Sequence, residues 1–298
     1  MLTKILRDHP DLAQQLADLV PLGSLTSAPL PLQAYPNTDH YALVGTAFDY
    51  LVRFELERRN SLAKDRIWVA STAVGDVLPS MVSSGVCDRE TARLYHAVLK
   101  EALEFHSWWV ADRRFGGMPR PKVEAAAKVV LCLAKIDPLF RTGTIVPDVN
   151  VFDTADVSDI VNLYSIAPWE RLGGAQGERV LLNPDFGRWS DRLDGADADL
   201  VVGSTLIDLK TSKYNDISKH FPQLVGYFML GELYRQDDPS YPSVERAGIY
   251  WCRHGYVETF DAKAVLLDPR YERAVERLLS TADSVVASVR ERRAGTVP

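Results

Sequence analysis

The order of predicted elements places this chain in the α/β (α+β) class, with a mixed sheet flanked by helices. Helical patterns dominate the sequence up to about residue 175. After that point, short apolar strands alternate with helices, which is typical of one sheet covered by helical layers. We therefore predict a mainly α-helical region at 1–175 and a sheet-containing core with a C-terminal helix at 176–298. Helix 41–59 of the first region is expected to contribute to that core.

Before residue 175 the predicted elements are helices, of which the first is amphipathic and the last is buried. They cover residues 1–20, 41–59, 88–109 and 123–136. Asp88 is the first residue of the third of these helices and is a suitable N-cap. A second acidic run, formed by Asp153, Asp156 and Asp159, lacks the terminal glutamate of a calcium-binding EF-hand loop. It predicts a surface loop and a helix cap.

After residue 175 the pattern changes to short strands bounded by turn residues. The predicted strands are 179–183, 198–202, 205–210, 247–253 and 256–260, and the predicted helices are 217–234 and 264–293. Pro269 is expected to break the last helix, because proline cannot continue a helical hydrogen-bond ladder.

Composition excludes several classes of protein. The chain has 298 residues, 46% of them hydrophobic and 25% charged, without the roughly 20-residue apolar run of a membrane span. The first residues lack the apolar core of a signal peptide, so we expect a cytoplasmic protein that does not enter a membrane. Three cysteines are too few for a disulfide framework. A net charge of −6 counts against a polyanionic substrate unless cations are clustered locally.

The stretch GADADLVVGSTLIDLKTSK concentrates unusual charge in a predicted hairpin. If residues 203–204 form a two-residue turn, Asp199 lies opposite Asp208 and Asp197 lies opposite Lys210. Carboxylates directly across a strand pair destabilise it unless a positive charge lies between them. Mg²⁺ binds one or two protein carboxylates and phosphate oxygens, and would relieve this repulsion. A metal and a neighbouring lysine together predict phosphodiester hydrolysis.

The same stretch resembles the core of the PD-(D/E)XK nuclease superfamily, especially its RecB-like branch. The resemblance rests on an aspartate at the end of one strand, Asp-x-Lys on the next, and Gln-x-x-x-Tyr on the following helix. It covers residues 180–260 well and 41–59 loosely. It implies a restriction-endonuclease-like fold and a catalytic set that consists of Asp199, Asp208, Lys210, Gln223 and Tyr227. By chance alone an acid-x-Lys tripeptide is expected about once in such a chain, and Asp261-Ala262-Lys263 is a second one.

The resemblance also implies a metal site for Mg²⁺ or Mn²⁺. Its ligands would be Asp199, Asp208 and the backbone carbonyl of Leu209. Asp49 stands where the family often has a histidine in a Gly-x-x-x-His helix segment, and it is the fourth candidate. Glu55 is a weaker one. The structural alternative is a surface ion pair between Asp49 and Arg53 with a solvated Glu55.

A nucleic-acid interface is expected beside this site. Residues 106–122 interleave tryptophan and phenylalanine with basic side chains, as in grooves that stack bases and contact phosphates. The alternative is that the tryptophans anchor a helix in the core and the arginines are solvated. The residues predicted to contact nucleic acid are Gln223, Tyr227, Lys213, Arg113 and Arg114.

These observations predict a metal-dependent nuclease, a hydrolase that acts on DNA, with RNA left open as a substrate. A catalytically inactive nucleic-acid-binding protein of the same fold is the main alternative, and an assembly protein whose hairpin binds Ca²⁺ is another. The sequence leaves open whether single or double strands are cut, whether cutting starts at ends, and which pathway is served. A protein partner or a homo-oligomer is compatible with it.

Overall fold

A six-stranded mixed sheet organises the part of the chain that the structure describes. The computed structural model describes residues 1–21, 30–65, 68–113 and 116–295. The strands are β1 (Ala63–Lys64), β2 (Val180–Leu182), β3 (Leu200–Val202), β4 (Thr205–Lys210), β5 (Arg246–Trp251) and β6 (Tyr256–Asp261). They lie side by side in chain order; β1–β2 and β4–β5 are parallel and the other pairs are antiparallel. The predicted α/β (α+β) class is confirmed.

Helices flank this sheet on both faces. Before residue 175 they are α1 (Leu2–Asp8), α2 (Pro10–Ala17), α3 (Tyr41–Arg59), α4 (Val69–Thr72), α5 (Leu78–Ser83), α6 (Arg89–Ala111), α7 (Arg120–Thr142) and α8 (Thr154–Ile166). After it they are α9 (Arg188–Arg192), α10 (Phe221–Asp237), α11 (Ala262–Leu266) and α12 (Tyr271–Gly295). None of the helices in the described ranges is long and apolar enough to cross a bilayer.

Most predicted helices are present, with three corrections. Residues 1–20 form two helices instead of one, because the chain turns at His9 and α2 begins with Pro10. The helix predicted from residue 217 begins at Phe221, after a single 3₁₀ turn over Ile217–His220. The sequence patterns predicted only the cap of α8. They missed the short helices α4, α5 and α9 and the two-residue strand β1, which is too short to show alternation.

Alternating side chains of the central strands enter two separate hydrophobic cores, as expected for a sheet buried on both faces. Leu200, Val202 and Ile207 pack into the core that contains α3 and α7. Val201 and Leu206 pack into the core that contains α1 and α10. Elements from both ends of the chain therefore cover the sheet. The boundary predicted near residue 175 stays a prediction.

Glu55 is the clearest correction among the acidic candidates. Its carboxylate is fully buried in α3, and it accepts hydrogen bonds from Arg58 at 2.6 and 2.8 Å and from Arg59 at 2.5 Å. The hydroxyl of Tyr164 donates to it at 3.0 Å. Glu55 is thus neither solvated nor available to a metal, because its oxygens serve a buried ion-pair network.

The acidic run on α8 is also only partly at the surface. Asp153 caps the helix by accepting from the Ala155 amide, as predicted. Asp156 and Asp159 are buried, contrary to the prediction of a surface loop. Asp159 forms a two-pronged pair with the buried guanidinium of Arg253, at 2.7 and 2.8 Å. This pair ties α8 to the turn between β5 and β6.

Removing the buried partner should be far more damaging than removing the cap. We expect Asp159→Ala to lower the free energy of unfolding by about 3–5 kcal/mol, because Arg253 keeps its charge in the interior without a counterion. Asp153→Ala, the matched change on the same helix, should lower it by only about 1 kcal/mol. Urea unfolding followed by circular dichroism measures both. Equal losses in the two variants would contradict the structural role of the pair.

Candidate functional site

The hairpin of β3 and β4 has the register that the sequence predicts. Its turn contains Gly203 with a φ of 56°, a value that favours glycine. Leu200 pairs with Ile207, so Asp199 and Asp208 lie one step beyond the last pair of the ladder. Asp197 departs from the prediction: it forms a bridge with Asp185 instead of pairing with Lys210. The hairpin therefore brings two carboxylates together at its open end.

Each carboxylate of this pair has a defined partner. Asp199 accepts a hydrogen bond from the backbone amide of Leu209 at 2.6 Å. Asp208 is only 2% exposed, and its Oδ2 lies 2.6 Å from the ammonium of Lys210. Asp208 and Lys210 alternate with Leu209 along β4, so both side chains lie on the face covered by α10.

The electrostatics of the pair follow from burial and mutual repulsion. Burial, and then the negative charges of Asp208 and Asp49, raise the pKa of Asp199 well above its ordinary value. Burial opposes the charged form of Lys210, but its pairing with Asp208 and Asp199 outweighs that penalty and raises its pKa. Lys210 is therefore a fixed positive charge at neutral pH, while Asp199 is a carboxylate that gains from any added cation.

Helix α10 supports Lys210 through a short hydrogen-bond chain. The Lys210 ammonium donates to Gln223 Oε1 at 3.2 Å, and Gln223 Nε2 donates to the hydroxyl of Tyr227 at 3.0 Å. The two helical residues are four apart and therefore share a face. Tyr227 is buried, which fixes one end of the chain. The structure thus brings together the five residues that the resemblance assigns to catalysis.

Helix α3 brings Asp49 to the same place from the opposite face of the sheet. A Cβ atom on Gly45 would lie 2.9 Å from Thr211 Oγ1, so glycine permits this close approach of α3 to the end of β4. Asp49 pairs with Arg53 at 2.8 Å, which confirms the predicted i,i+4 pair. Arg53 is buried, however, and also binds Asp65 at 3.0 Å. The arginine of this ion pair is therefore in the interior, while the Asp49 side chain is 30% exposed.

A cleft of about 220 Å³ between α3, α7 and α10 is lined by Asp49, Asp199, Asp208, Lys210 and Gln223. Two further charged residues of its lining were not predicted from the sequence. They are Asp137 and Arg141 of α7, whose side chains approach each other at 3.7 Å. Burial raises the pKa of Asp137, whose carboxylate accepts a hydrogen bond from Tyr50 at 2.7 Å. Their i,i+4 spacing predicts only a pair on a helix surface, and nothing local indicates that α7 reaches this cleft.

The donor set fits a hard divalent cation held by two carboxylates. Asp208 Oδ2 is buried and makes no hydrogen bond with correct geometry, although it is close to Lys210. Burial, and then the negative charges of Asp208 and Asp49, raise the pKa of Asp199, so a cation placed beside it would favour its ionised form. Among the described residues, no group of three or more histidine, cysteine, aspartate and glutamate side chains is arranged to hold a metal. Mg²⁺ accepts such a sparse protein shell because it retains several waters.

Arg113, the described arginine of the predicted basic interface, does not line this cleft. Arg113 donates to the backbone carbonyls of Glu57 and Arg58, at 2.7 and 3.2 Å. These carbonyls lie at the end of α3, about 12 Å along the helix axis from Asp49. Arg114 lies outside the described residues. Arg113 therefore has a structural role at the end of α3, which its position in a basic loop did not indicate.

The aromatic residues of that stretch divide between core and surface. Trp109 is fully buried, in line with the structural alternative, while Trp108 is 48% exposed. The ammonium of Lys122 lies 4.7 Å from the ring centre of Trp108 and pairs with Asp112 at 2.9 Å. Lys213, in contrast, is exposed in the segment that directly follows β4. It lies three residues after Lys210 in the chain.

Neutralising one carboxylate should stabilise the metal-free protein. The pKa of Asp199 is raised in the folded state. The folded protein therefore loses stability as the pH rises from the ordinary pKa of an aspartate through the raised pKa of Asp199. We expect Asp199→Asn to increase the free energy of unfolding by about 1–2 kcal/mol at pH 8 in EDTA, a gain typical of relieved functional sites. The gain should vanish near pH 4, where wild-type Asp199 holds its proton. Thermal unfolding of the variant and the wild type at both pH values measures this gain. A lower melting temperature of Asp199→Asn than of the wild type at pH 8 would contradict the repulsion.

Comparisons with known proteins returned no match. No protein-family model matches the chain. A search of curated proteins and a search of solved structures likewise found none that is significantly similar. The chemistry inferred for this chain therefore depends on the geometry of the cleft and on the motif that its sequence carries.

Proposed function

We propose that the protein is a metal-dependent nuclease that hydrolyses phosphodiester bonds of DNA. One observation carries the proposal: the β3–β4 hairpin places Asp199 and Asp208 together, with the ammonium of Lys210 2.6 Å from Asp208, in a cleft. Buried like charges beside a lysine are costly for folding, and such arrangements are concentrated at catalytic sites. The motif resemblance to PD-(D/E)XK nucleases supports the same chemistry.

The two hairpin carboxylates are the residues that would hold Mg²⁺ or Mn²⁺. The Leu209 carbonyl and Asp49 are further ligands in this proposal. When bound, the ion would supply charge stabilisation at the phosphate and lower the pKa of a coordinated water. Asp49 already shares its carboxylate with Arg53. As a ligand it would therefore share its carboxylate between Arg53 and the ion.

Lys210 would act as a fixed cation. Its raised pKa keeps the ammonium charged at neutral pH, so it is suited to donating hydrogen bonds to a phosphate oxygen and unsuited to accepting a proton. Gln223 holds it from one side and Asp208 from the other. This fixed position matters, because a preorganised charge stabilises a transition state without reorganisation during the reaction.

Attraction of DNA would have to come from local charge. The chain as a whole carries a net charge of −6, so long-range steering does not favour a polyanion. Lys213 and Lys219 are exposed after β4, and Arg141 lines the cleft. RNA offers the same phosphodiester and stays an alternative substrate. A protein partner or a homo-oligomer also stays a prediction.

The test is a cleavage assay with the wild type and Lys210→Ala. Linear, nicked, supercoiled and single-stranded DNA are incubated with Mg²⁺, Mn²⁺, Ca²⁺ or EDTA. We expect Mg²⁺- or Mn²⁺-dependent cleavage that falls at least about 10²–10³-fold in the variant, the loss typical of removing one transition-state contact.

Lys263→Ala is the matched control, because Lys263 lies in the second Asp-x-Lys tripeptide and pairs at the surface with Glu245 at 2.5 Å. It should leave cleavage unchanged. DNA binding without cleavage in any metal would favour the inactive binding protein. Stabilisation by Ca²⁺ without either activity would favour the assembly protein.

The hydrogen-bond chain from α10 makes a separate prediction. Gln223→Ala should lower kcat about 10–100-fold with little change in KM, because Lys210 loses the partner that orients it but keeps its charge. Tyr227→Phe removes the hydroxyl that accepts from Gln223, so a smaller loss in the same direction is expected. Steady-state kinetics on the preferred DNA form measures the split. A change confined to KM would show that Gln223 binds substrate instead of positioning Lys210.

A further inference from the structure

Two tyrosines stand out among the aromatic side chains of the described residues. Tyr35 is 68% exposed and Tyr214 is 66% exposed, more than any other aromatic ring in these ranges. Exposed aromatic rings of this extent lose favourable burial, and at binding sites they commonly serve as contact surfaces. Neither ring belongs to the catalytic set described above.

Both tyrosines lie on segments attached to the same buried guanidinium. Arg253 Nη1 donates to the carbonyl of Ala34 at 3.4 Å, and its Nε donates to the carbonyl of Thr211 at 2.7 Å. The amide of Ala34 in turn donates to the carbonyl of Arg253 at 3.0 Å. Ala34 is next to Tyr35, and Thr211 begins the segment that carries Tyr214. Both are therefore anchored to Arg253 side by side, although they are distant in sequence.

This anchor lies immediately beside the cleft. Thr211 follows Lys210 directly, and Tyr214 is four residues beyond Lys210. Even in a fully extended chain, the Cα atom of Tyr214 would lie within about 14 Å of the Cα atom of Lys210. The amide of Tyr214 donates to Ser212 Oγ at 3.0 Å, which holds the segment in a turn. An exposed ring is thus held a short distance from the proposed site of cleavage.

Charge around the second ring matches a polyanion better than an apolar peptide. The ammonium of Lys213 lies 5.1 Å from the ring centre of Tyr214. Within the described part of the chain, Lys213 forms no ion pair, whereas Lys219 is paired with Asp216 at 3.3 Å. An aromatic face beside an uncompensated cation is the combination that binds a base together with its phosphate.

We propose that Tyr35 and Tyr214, here called the tyrosine pair, stack on unpaired bases of a single DNA strand next to the phosphodiester held in the cleft. The inference deepens the proposed nuclease function and rests on it for the orientation of the strand. Base faces are covered in a duplex and become available only when the strand is single or locally opened. The tyrosine pair therefore selects single-stranded segments, such as overhangs and frayed ends.

The test measures binding separately from cleavage. The full-length wild type, Tyr35→Ala, Tyr214→Ala and the double variant are titrated in EDTA against a fluorescein-labelled single-stranded oligonucleotide and its blunt duplex. Each tyrosine-to-alanine change should weaken single-strand binding about 5- to 150-fold, since one base–aromatic stack contributes about 1–3 kcal/mol. Duplex binding should change less than twofold.

Two control variants separate stacking from other effects. Phenylalanine at either position keeps a stacking ring, so Tyr35→Phe and Tyr214→Phe should bind the single strand nearly as well as the wild type. Tyr41→Ala removes another ring that is about half exposed, and it should leave binding unchanged. Thermal unfolding of every variant shows that the fold is intact, which is expected because both tyrosine rings are mostly in solvent.

The outcomes distinguish this inference from the proposed function. Selective loss of single-strand binding in the tyrosine variants supports base stacking by the tyrosine pair. If that loss is seen but no cleavage occurs with any metal, only the nuclease proposal fails. Cleavage that depends on Lys210 but is indifferent to both tyrosines overturns the pair alone. Equal losses on single strands and duplexes, unchanged binding in the double variant, or no binding of DNA by the wild type also overturns it.

Discussion

The repulsion between two neighbouring carboxylates is the constraint on which the candidate site of this structure depends. A tight turn at Gly203 fixes the register of β3 and β4, and the register places Asp199 beside Asp208. Like charges across a strand pair oppose folding. The surrounding structure accommodates them by placing the Lys210 ammonium against one carboxylate and the Leu209 amide against the other. The two carboxylates therefore lie side by side at the end of the hairpin, each with one polar partner.

A second buried ion pair determines what surrounds that cluster. Asp159 of α8 holds Arg253 in the interior, and Arg253 in turn donates to the carbonyls of Ala34 and Thr211. A buried pair of this type is weak support for stability, because desolvation offsets most of its attraction. Its effect here is geometric: it brings a segment before α3, helix α8 and the end of β4 to one point. The edge of the cleft is built around that point.

The elements that could be predicted from the sequence are those whose interactions join residues close together in the chain. Helix α6 carries several turns of periodic apolar side chains, and the Asp88 cap marks where it begins. These signals are local, so they are visible in the sequence. Strand β1 has two residues and pairs with β2 more than a hundred positions later. Its existence depends on a partner that no local pattern specifies.

The same division applies to the site. The sequence by itself determined the hairpin, the adjacent carboxylates, Lys210 and the helical Gln-x-x-x-Tyr spacing, since turn geometry and helical periodicity act over a few residues. Only the tertiary structure decided that Arg113 binds carbonyls at the end of α3 and that Asp137 lines the cleft. It also decided that the segment of Tyr35 is anchored beside the segment of Tyr214. Such contacts join residues that are distant in the chain, and their geometry is fixed by the packing of whole helices against the sheet.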